Sequence, residues 1–185
     1  SNQGNEKICA LASWLNNILN ANLLPESSKN DHLKLSDLTP DNCARELDYY
    51  LPCKDFKVKV LNKLCHEFYA KVVQDNNLSH IPDLPDLKKS NFKGFMKGSL
   101  DLVAKFTTKH GDKFFMIDYK SNYLGDSFGD YTQDSILKSI FEARYDVQIL
   151  FYSLALYRFL KCTLHDFSYE KDFGGVMYLY LRGMN

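Results

Sequence analysis

Phe115-Met116-Ile117-Asp118-Tyr119-Lys120, together with Gly98-Ser99-Leu100-Asp101-Leu102-Val103 one strand-length earlier, decides how the rest of the chain is read. Both segments are rich in β-branched, aromatic and long apolar residues, and the turn-forming run His110-Gly111-Asp112 lies between them. The pattern predicts two adjacent strands, Phe95 to Thr107 and Lys113 to Ser121, joined as a hairpin. Residues two apart on a strand share a face, so Asp118 and Lys120 point the same way. Asp101 stands in the middle of the preceding apolar strand, where the hairpin brings it beside Asp118.

Two carboxylates forced together among apolar neighbours repel each other, and a divalent cation between them is the usual remedy. Phosphodiester hydrolysis uses such a set: a cation on oxygen ligands that polarises the phosphate, and an ammonium nearby to offset developing charge. Asp101, Asp118 and the backbone carbonyl of Tyr119 are the candidate oxygen donors, and Lys120 is the candidate ammonium. On periodicity alone an ordinary surface salt bridge stays open as the alternative. The chain carries a decoy in Pro85-Asp86-Leu87-Lys88, which has the same letters without strand periodicity or an acidic partner, and it is read as a surface turn.

Working outward, Ile8, Leu11, Leu15, Ile18, Leu19 and Leu23 recur at helical spacing and predict an amphipathic helix from Glu6 to about Leu24, ended by Pro25. Residues 26–42 read as a connector. Cys43 to Cys53 alternates, with Leu47, Tyr49 and Leu51 inward and Glu46, Asp48 and Tyr50 toward water, and Pro52 marks its end. Val60, Leu64, Phe68 and Val72 form the stripe of a second helix ending near Asn76-Asn77, and Ile81 to Ser90 is a proline-stiffened loop. After a Gly- and Asp-rich loop (Gly125 to Asp130), one long helix is predicted from Thr132 to Lys161, then a strand from Gly175 to Leu181. Gln148 and Tyr152, four apart, share a face of that helix. Arg144 and Tyr145 are weaker candidates for DNA contact. The aromatic run Met177-Tyr178-Leu179-Tyr180 reads as a core strand, not as a base-stacking platform. The expected fold class is α/β, a small mixed sheet flanked by helices.

Length and composition suit one globular domain over residues 3–185, with Ser1-Asn2 read as the remnant of a tag. No segment approaches the roughly 18 apolar residues of a membrane span, so no membrane partner and a cytoplasmic location are expected. The five scattered cysteines lack metal-site spacing and read as reduced thiols. Net charge is zero, which gives no electrostatic sign of a nucleic-acid partner.

The two strand segments, extended to Gly94-Phe95-Met96-Lys97 on one side and Ser121-Asn122-Tyr123-Leu124-Gly125 on the other, closely resemble the nuclease domains of RecB-type helicase–nucleases. So do Arg144-Tyr145-Asp146-Val147-Gln148 with Tyr152, and Phe173-Gly174-Gly175-Val176 leading to Leu181-Arg182-Gly183. The resemblance runs from about Arg45 onward and implies a restriction-endonuclease-like fold of the PD-(D/E)xK class and Mg²⁺-dependent exonucleolytic cleavage of DNA in double-strand-break repair and recombination. It implies Asp101 and Asp118 as metal ligands, Lys120 as the catalytic lysine, and Gln148 and Tyr152 as a supporting Gln-x-x-x-Tyr pair. The motif proline is absent before Asp101, where Ser99-Leu100 stand.

RecC- and RecD-type subunits and RecA are the implied partners besides DNA. The chain has no Gly-x-x-x-x-Gly-Lys-Ser/Thr loop, so ATP use is expected in a helicase portion outside it. The family pattern also includes a metal-site histidine on a helix upstream of the strand matching Arg45 to Pro52. This chain is expected to begin after it, because His66 follows that strand and His32 lies in the polar connector. The isolated piece is therefore expected to bind metal weakly and cut poorly. The rival reading is a domain with a nuclease-like fold that binds DNA or docks a protein without cleaving.

Overall fold

The computed structural model describes residues 2–24, 32–76, 83–88 and 92–184. The expected helix stop at Pro25, the first part of the connector, and the flanks of the 81–90 loop lie outside them. The elements in order are α1 (Asn2–Asn20), β1 (Cys43–Phe56), α2 (Val58–Asn76), β2 (Phe92–Thr108), β3 (Gly111–Lys120), α3 (Gln133–Glu142), α4 (Tyr145–Thr163), α5 (Tyr169–Asp172) and β4 (Phe173–Tyr180). The four strands form one mixed sheet in the order β1-β2-β3-β4, with β4 parallel to β3 and the other neighbours antiparallel. The α/β class read from the sequence is therefore the one observed.

The hairpin forms as predicted, one residue early: Thr108 pairs with Gly111, so Lys109 and His110 make the turn. Gly111 takes φ +100, a backbone conformation that glycine adopts without a Cβ penalty. Strand β3 lies between β2 and β4, and its centre, Phe115 to Asp118, is buried on both faces. On one face Leu102, Ala104, Phe115, Ile117 and Leu179 pack with Ile18 of α1 and Leu33 and Leu35 of the connector. On the other, Leu100, Val103 and Met116 pack with Tyr152, Ala155, Leu156 and Leu160 of α4. Each fully buried side chain among these contributes about 1.5–3 kcal/mol of apolar transfer.

Three expectations are corrected. Pro52 does not stop β1, which continues to Phe56. β1 is an edge strand, where a residue without an N–H costs no sheet hydrogen bond on its outer side. Helix α1 ends at Asn20, short of Leu24; Asn22 beyond it accepts the backbone N–H groups of Leu24 and Leu33 through Oδ1, a turn that competes with the helix.

The single long helix is in fact two, α3 and α4, separated at Ala143-Arg144, where Arg144 adopts φ 56 and ψ 35. That left-handed residue folds its guanidinium onto Asp146, Nε to Oδ1 at 3.0 Å and Nη2 to Oδ2 at 3.1 Å, while Nη1 donates to the carbonyl of Pro85. Asp146 is fully buried, and the bidentate pair is what makes its burial tolerable. The guanidinium of Arg144, the weaker candidate for DNA contact, is half-buried and engaged with Asp146 and Pro85.

The decoy lies on the surface as read: Asp86 pairs with His66 at 2.8 Å, and Asn62 of α2 brackets the backbone of Leu87. All five cysteines are free, with Cys53 and Cys65 buried and Cys9 and Cys162 exposed. Among the described residues no helix is long and apolar enough to cross a membrane.

Candidate active site

Asp118 and Lys120 leave β3 on the α4 side, as strand periodicity required, and both are buried. Lys120 Nζ lies 2.6 Å from Asp118 Oδ2 and donates to Gln148 Oε1 at 3.0 Å. The ammonium also sits over two aromatic faces, 4.0 Å from the centre of the Tyr145 ring and 4.6 Å from that of Tyr178. Both rings present the negative side of their quadrupoles to the cation. A buried lysine is costly unless its charge is met on several sides, and here a carboxylate, an amide oxygen and two ring faces meet it.

The sequence pair Gln148 and Tyr152 joins this group, one turn apart on α4. Gln148 Nε2 donates to Tyr152 Oη at 2.6 Å, and Tyr152 in turn donates to Asp118 Oδ1 at 3.3 Å. Tyr178 donates to Gln148 Oε1 at 2.7 Å, so that oxygen accepts from both the lysine and a phenol. Burial raises the pKa of Tyr178 and Tyr152 far above the ordinary phenol range, reinforced in both by the charge of Asp118. Both remain donors.

Asp101 comes from β2. The β2–β3 ladder ends at the pair Leu102 and Ile117, and just beyond it Asp101 Oδ2 accepts the N–H of Tyr119 at 3.3 Å. Alternation breaks there: Leu100 and Val103 both face α4, whereas Leu102 faces α1. On β1, between the residues paired with Leu102 and Leu100, Glu46 takes φ 49, a strained conformation for a residue with a Cβ. Asp101 and Glu46 together line a cleft of about 450 Å³ with Arg45 and Tyr119. Glu46 is exposed, as the alternation predicted, yet stands beside Asp101.

Electrostatically, Asp118 is pushed above the ordinary carboxylate range by burial first, is pulled back by Lys120, and is raised again by Asp101. Asp118 Oδ2 is buried and is met by the Lys120 ammonium at 2.6 Å. Asp118 and the caged ammonium thus form one buried cluster, and Asp101 on the neighbouring strand is near enough for its charge to be felt by Asp118 while its side chain lines the adjoining cleft. Among the described residues no cluster of three or more His, Cys, Asp or Glu could hold a metal. His66 is engaged with Asp86 and His32 is exposed.

Tyr178 was read from the sequence as a core residue, and Tyr145 only as a weaker candidate for DNA contact; neither was expected against Lys120. The signal available was the register of a parallel strand: Tyr178 pairs with Asp118 across β3 and β4.

No family model matches the chain. It is 36% identical over 95% of its length to the RecBCD enzyme subunit RecB of Haemophilus influenzae, 35% to that of Buchnera aphidicola subsp. Schizaphis graminum and 34% to that of Escherichia coli, each over the same share. The chain spans 13% of the length of each of these relatives.

Proposed function

Because the chain is a RecB-like fragment, we propose that it is the nuclease domain of a RecB-type helicase–nuclease, with a restriction-endonuclease-like PD-(D/E)xK fold and Mg²⁺-dependent exonuclease activity on DNA. The observation that carries this reading is the buried ion pair of Asp118 and Lys120, 2.6 Å apart on one face of β3, with the ammonium caged by Gln148, Tyr145 and Tyr178.

The donor set suits a hard divalent cation: the Asp118 carboxylate, the Asp101 carboxylate one strand away and the backbone carbonyl of Tyr119 would hold it, with water filling the remaining positions. When bound, Mg²⁺ polarises a phosphate oxygen and lowers the pKa of a coordinated water. The protein's own groups do the rest. Lys120 presents positive charge where a phosphoryl group gains negative charge, and Gln148, Tyr145 and Tyr178 hold that ammonium so that it need not reorganise during reaction. Tyr152 donates to Asp118 Oδ1 and Lys120 pairs with Oδ2, so the carboxylate is oriented at both oxygens.

In this reading the domain degrades DNA strands delivered by a helicase motor in double-strand-break repair and recombination. It works in the cytoplasm beside RecC- and RecD-type subunits, and RecA receives the strand; ATP serves the motor portion. One observation favours the rival, a non-cleaving binding or docking module: no third acidic or imidazole ligand joins the two carboxylates among the described residues. A Mg²⁺-dependent DNA degradation assay on the full-length protein separates the two. Loss of cleavage in Asp118→Ala supports the nuclease, equal cleavage in that variant refutes the assignment of Asp118, and no cleavage by either protein promotes the rival.

A further inference from the structure

Immediately after Lys120 the chain enters a cleft of about 510 Å³ whose walls include Trp14, Tyr123, Phe128, Tyr131 and Arg182, with Ser121 at its near end. Two of these rings are turned outward, Tyr123 at 62% and Phe128 at 50% exposure. Large aromatic faces left in water carry an unfavourable hydration cost, and here the loop keeps them there by construction. Tyr123 donates to Asp126 at 2.8 Å. Ser127 and Asp130 close a reciprocal cap around Phe128 through the Ser127 N–H and hydroxyl, both on Asp130 Oδ2. Tyr131 accepts the N–H of Leu124 and donates to the carbonyl of Asn122, which ties the two ends of the loop together. Arg182 lies 5.9 Å from the centre of the Tyr123 ring and donates through Nε to the carbonyl of Ser121, the residue after Lys120.

We infer that this cleft is a stacking subsite for an unpaired nucleic-acid strand, placing bases on Tyr123 and Phe128 and a phosphate by Arg182, whose Nε is bonded to the residue that follows Lys120. The inference rests on the nuclease reading for the nature of the strand. The chain carries 23 basic and 23 acidic residues, so its net charge offers no general attraction for phosphates, and affinity for a strand at this cleft would rest on its rings and on Arg182. Aromatic faces provide it for any base sequence, because every base has a π face. Only unstacked bases can use them, so duplex is excluded as the occupant.

Trp14 is the sole tryptophan of the chain and lines the cleft, so its fluorescence reports occupancy directly. The test titrates this chain, in EDTA to prevent turnover, with an oligothymidylate, with a blunt duplex and with an amphipathic peptide. The expected result is saturable quenching by the oligothymidylate alone. Its log–log salt slope should be close to the ~0.7 expected of a single phosphate contact on a single strand. Tyr123→Ala and Phe128→Ala should each weaken it roughly tenfold, and Tyr123→Phe should retain it. Both rings are exposed, so unchanged melting of the variants checks that folding is intact. Equal quenching by the duplex, quenching by the peptide alone, or undiminished strand binding in both alanine variants overturns the inference. Asp118-dependent cleavage is followed in parallel on the full-length protein. Its persistence alongside any of those results rejects the subsite and spares the nuclease, whereas its absence alongside ring-dependent quenching rejects the nuclease reading alone.

Discussion

Replacing Arg144 by alanine should cost more stability than any surface substitution in this chain. Asp146 is fully buried, and its two oxygens are held by Nε and Nη2 of Arg144 at 3.0 and 3.1 Å. Removing the guanidinium strands a carboxylate away from water, a change that costs about 3–5 kcal/mol in comparable buried pairs. The third donor, Nη1 to Pro85, also goes, and with it one anchor of the 83–88 segment. Alanine leaves the left-handed backbone at φ 56 as strained as before, whereas Arg144→Gly relieves that strain and should recover about 1 kcal/mol.

For a chain of this size the alanine loss corresponds to a drop in melting temperature of roughly 6–20 °C. Urea unfolding with a shared slope gives the free energy, and the double variant Arg144→Ala with Asp146→Ala decides its origin. If the stranded charge is the cause, the double variant is more stable than the single one. A single-variant loss below about 1 kcal/mol, or a double variant no better than the single, refutes the reasoning.

Tyr178→Phe removes the phenol that shares Gln148 Oε1 with Lys120, while keeping the ring face. It should cost about 1 kcal/mol in urea unfolding, and a steady-state assay of the full-length nuclease should show a several-fold lower kcat with little change in KM. Mg²⁺ should raise the melting temperature of the chain and leave that of Asp118→Ala unmoved, since a ligand stabilises only the state that binds it. An equal shift in both proteins would place the cation elsewhere. Cys65 is fully buried and its thiol is pushed up to about 11, chiefly by burial and then by Asp146. A thiol reagent at pH 8 should therefore modify exposed Cys9 and Cys162 promptly and Cys65 only on unfolding. The same raised pKa means that Cys65 contributes its full stability below pH ~9 and loses it as pH rises toward 11, which alkaline unfolding curves of Cys65→Ala would reveal by a smaller decline.

The hairpin was legible because its information is local. The period of two across Phe115 to Lys120 and the glycine at 111 are enough to put Asp118 and Lys120 on one face. Gln148 and Tyr152 were legible as a pair for the same reason, since four residues make one helical turn. What stayed hidden depends on partners distant in sequence. The break at Arg144 has no glycine or proline to announce it; it exists because Asp146 is buried against α2 and the Pro85 segment, which hydrophobic periodicity does not encode. Pro52 reads as a stop only until β1 is known to be an edge. Tyr178 looked like any strand tyrosine, and it becomes a wall of the lysine cage through parallel pairing with β3 across the whole α3–α5 crossover.

That crossover sets an order of events while the protein is being made. A ribosome releases β2 and β3 early, and their antiparallel contact needs only a short closure, so the acidic residues and Lys120 emerge as a pair of strands. The groups that steady the ammonium, Tyr145, Gln148 and Tyr178, are all translated later, and the last must close a long parallel connection before it arrives. A nascent polypeptide interrupted before β4 therefore holds the letters of the motif without the enclosure that orients them. Competence to act on a strand is deferred until synthesis has passed the final element of the sheet.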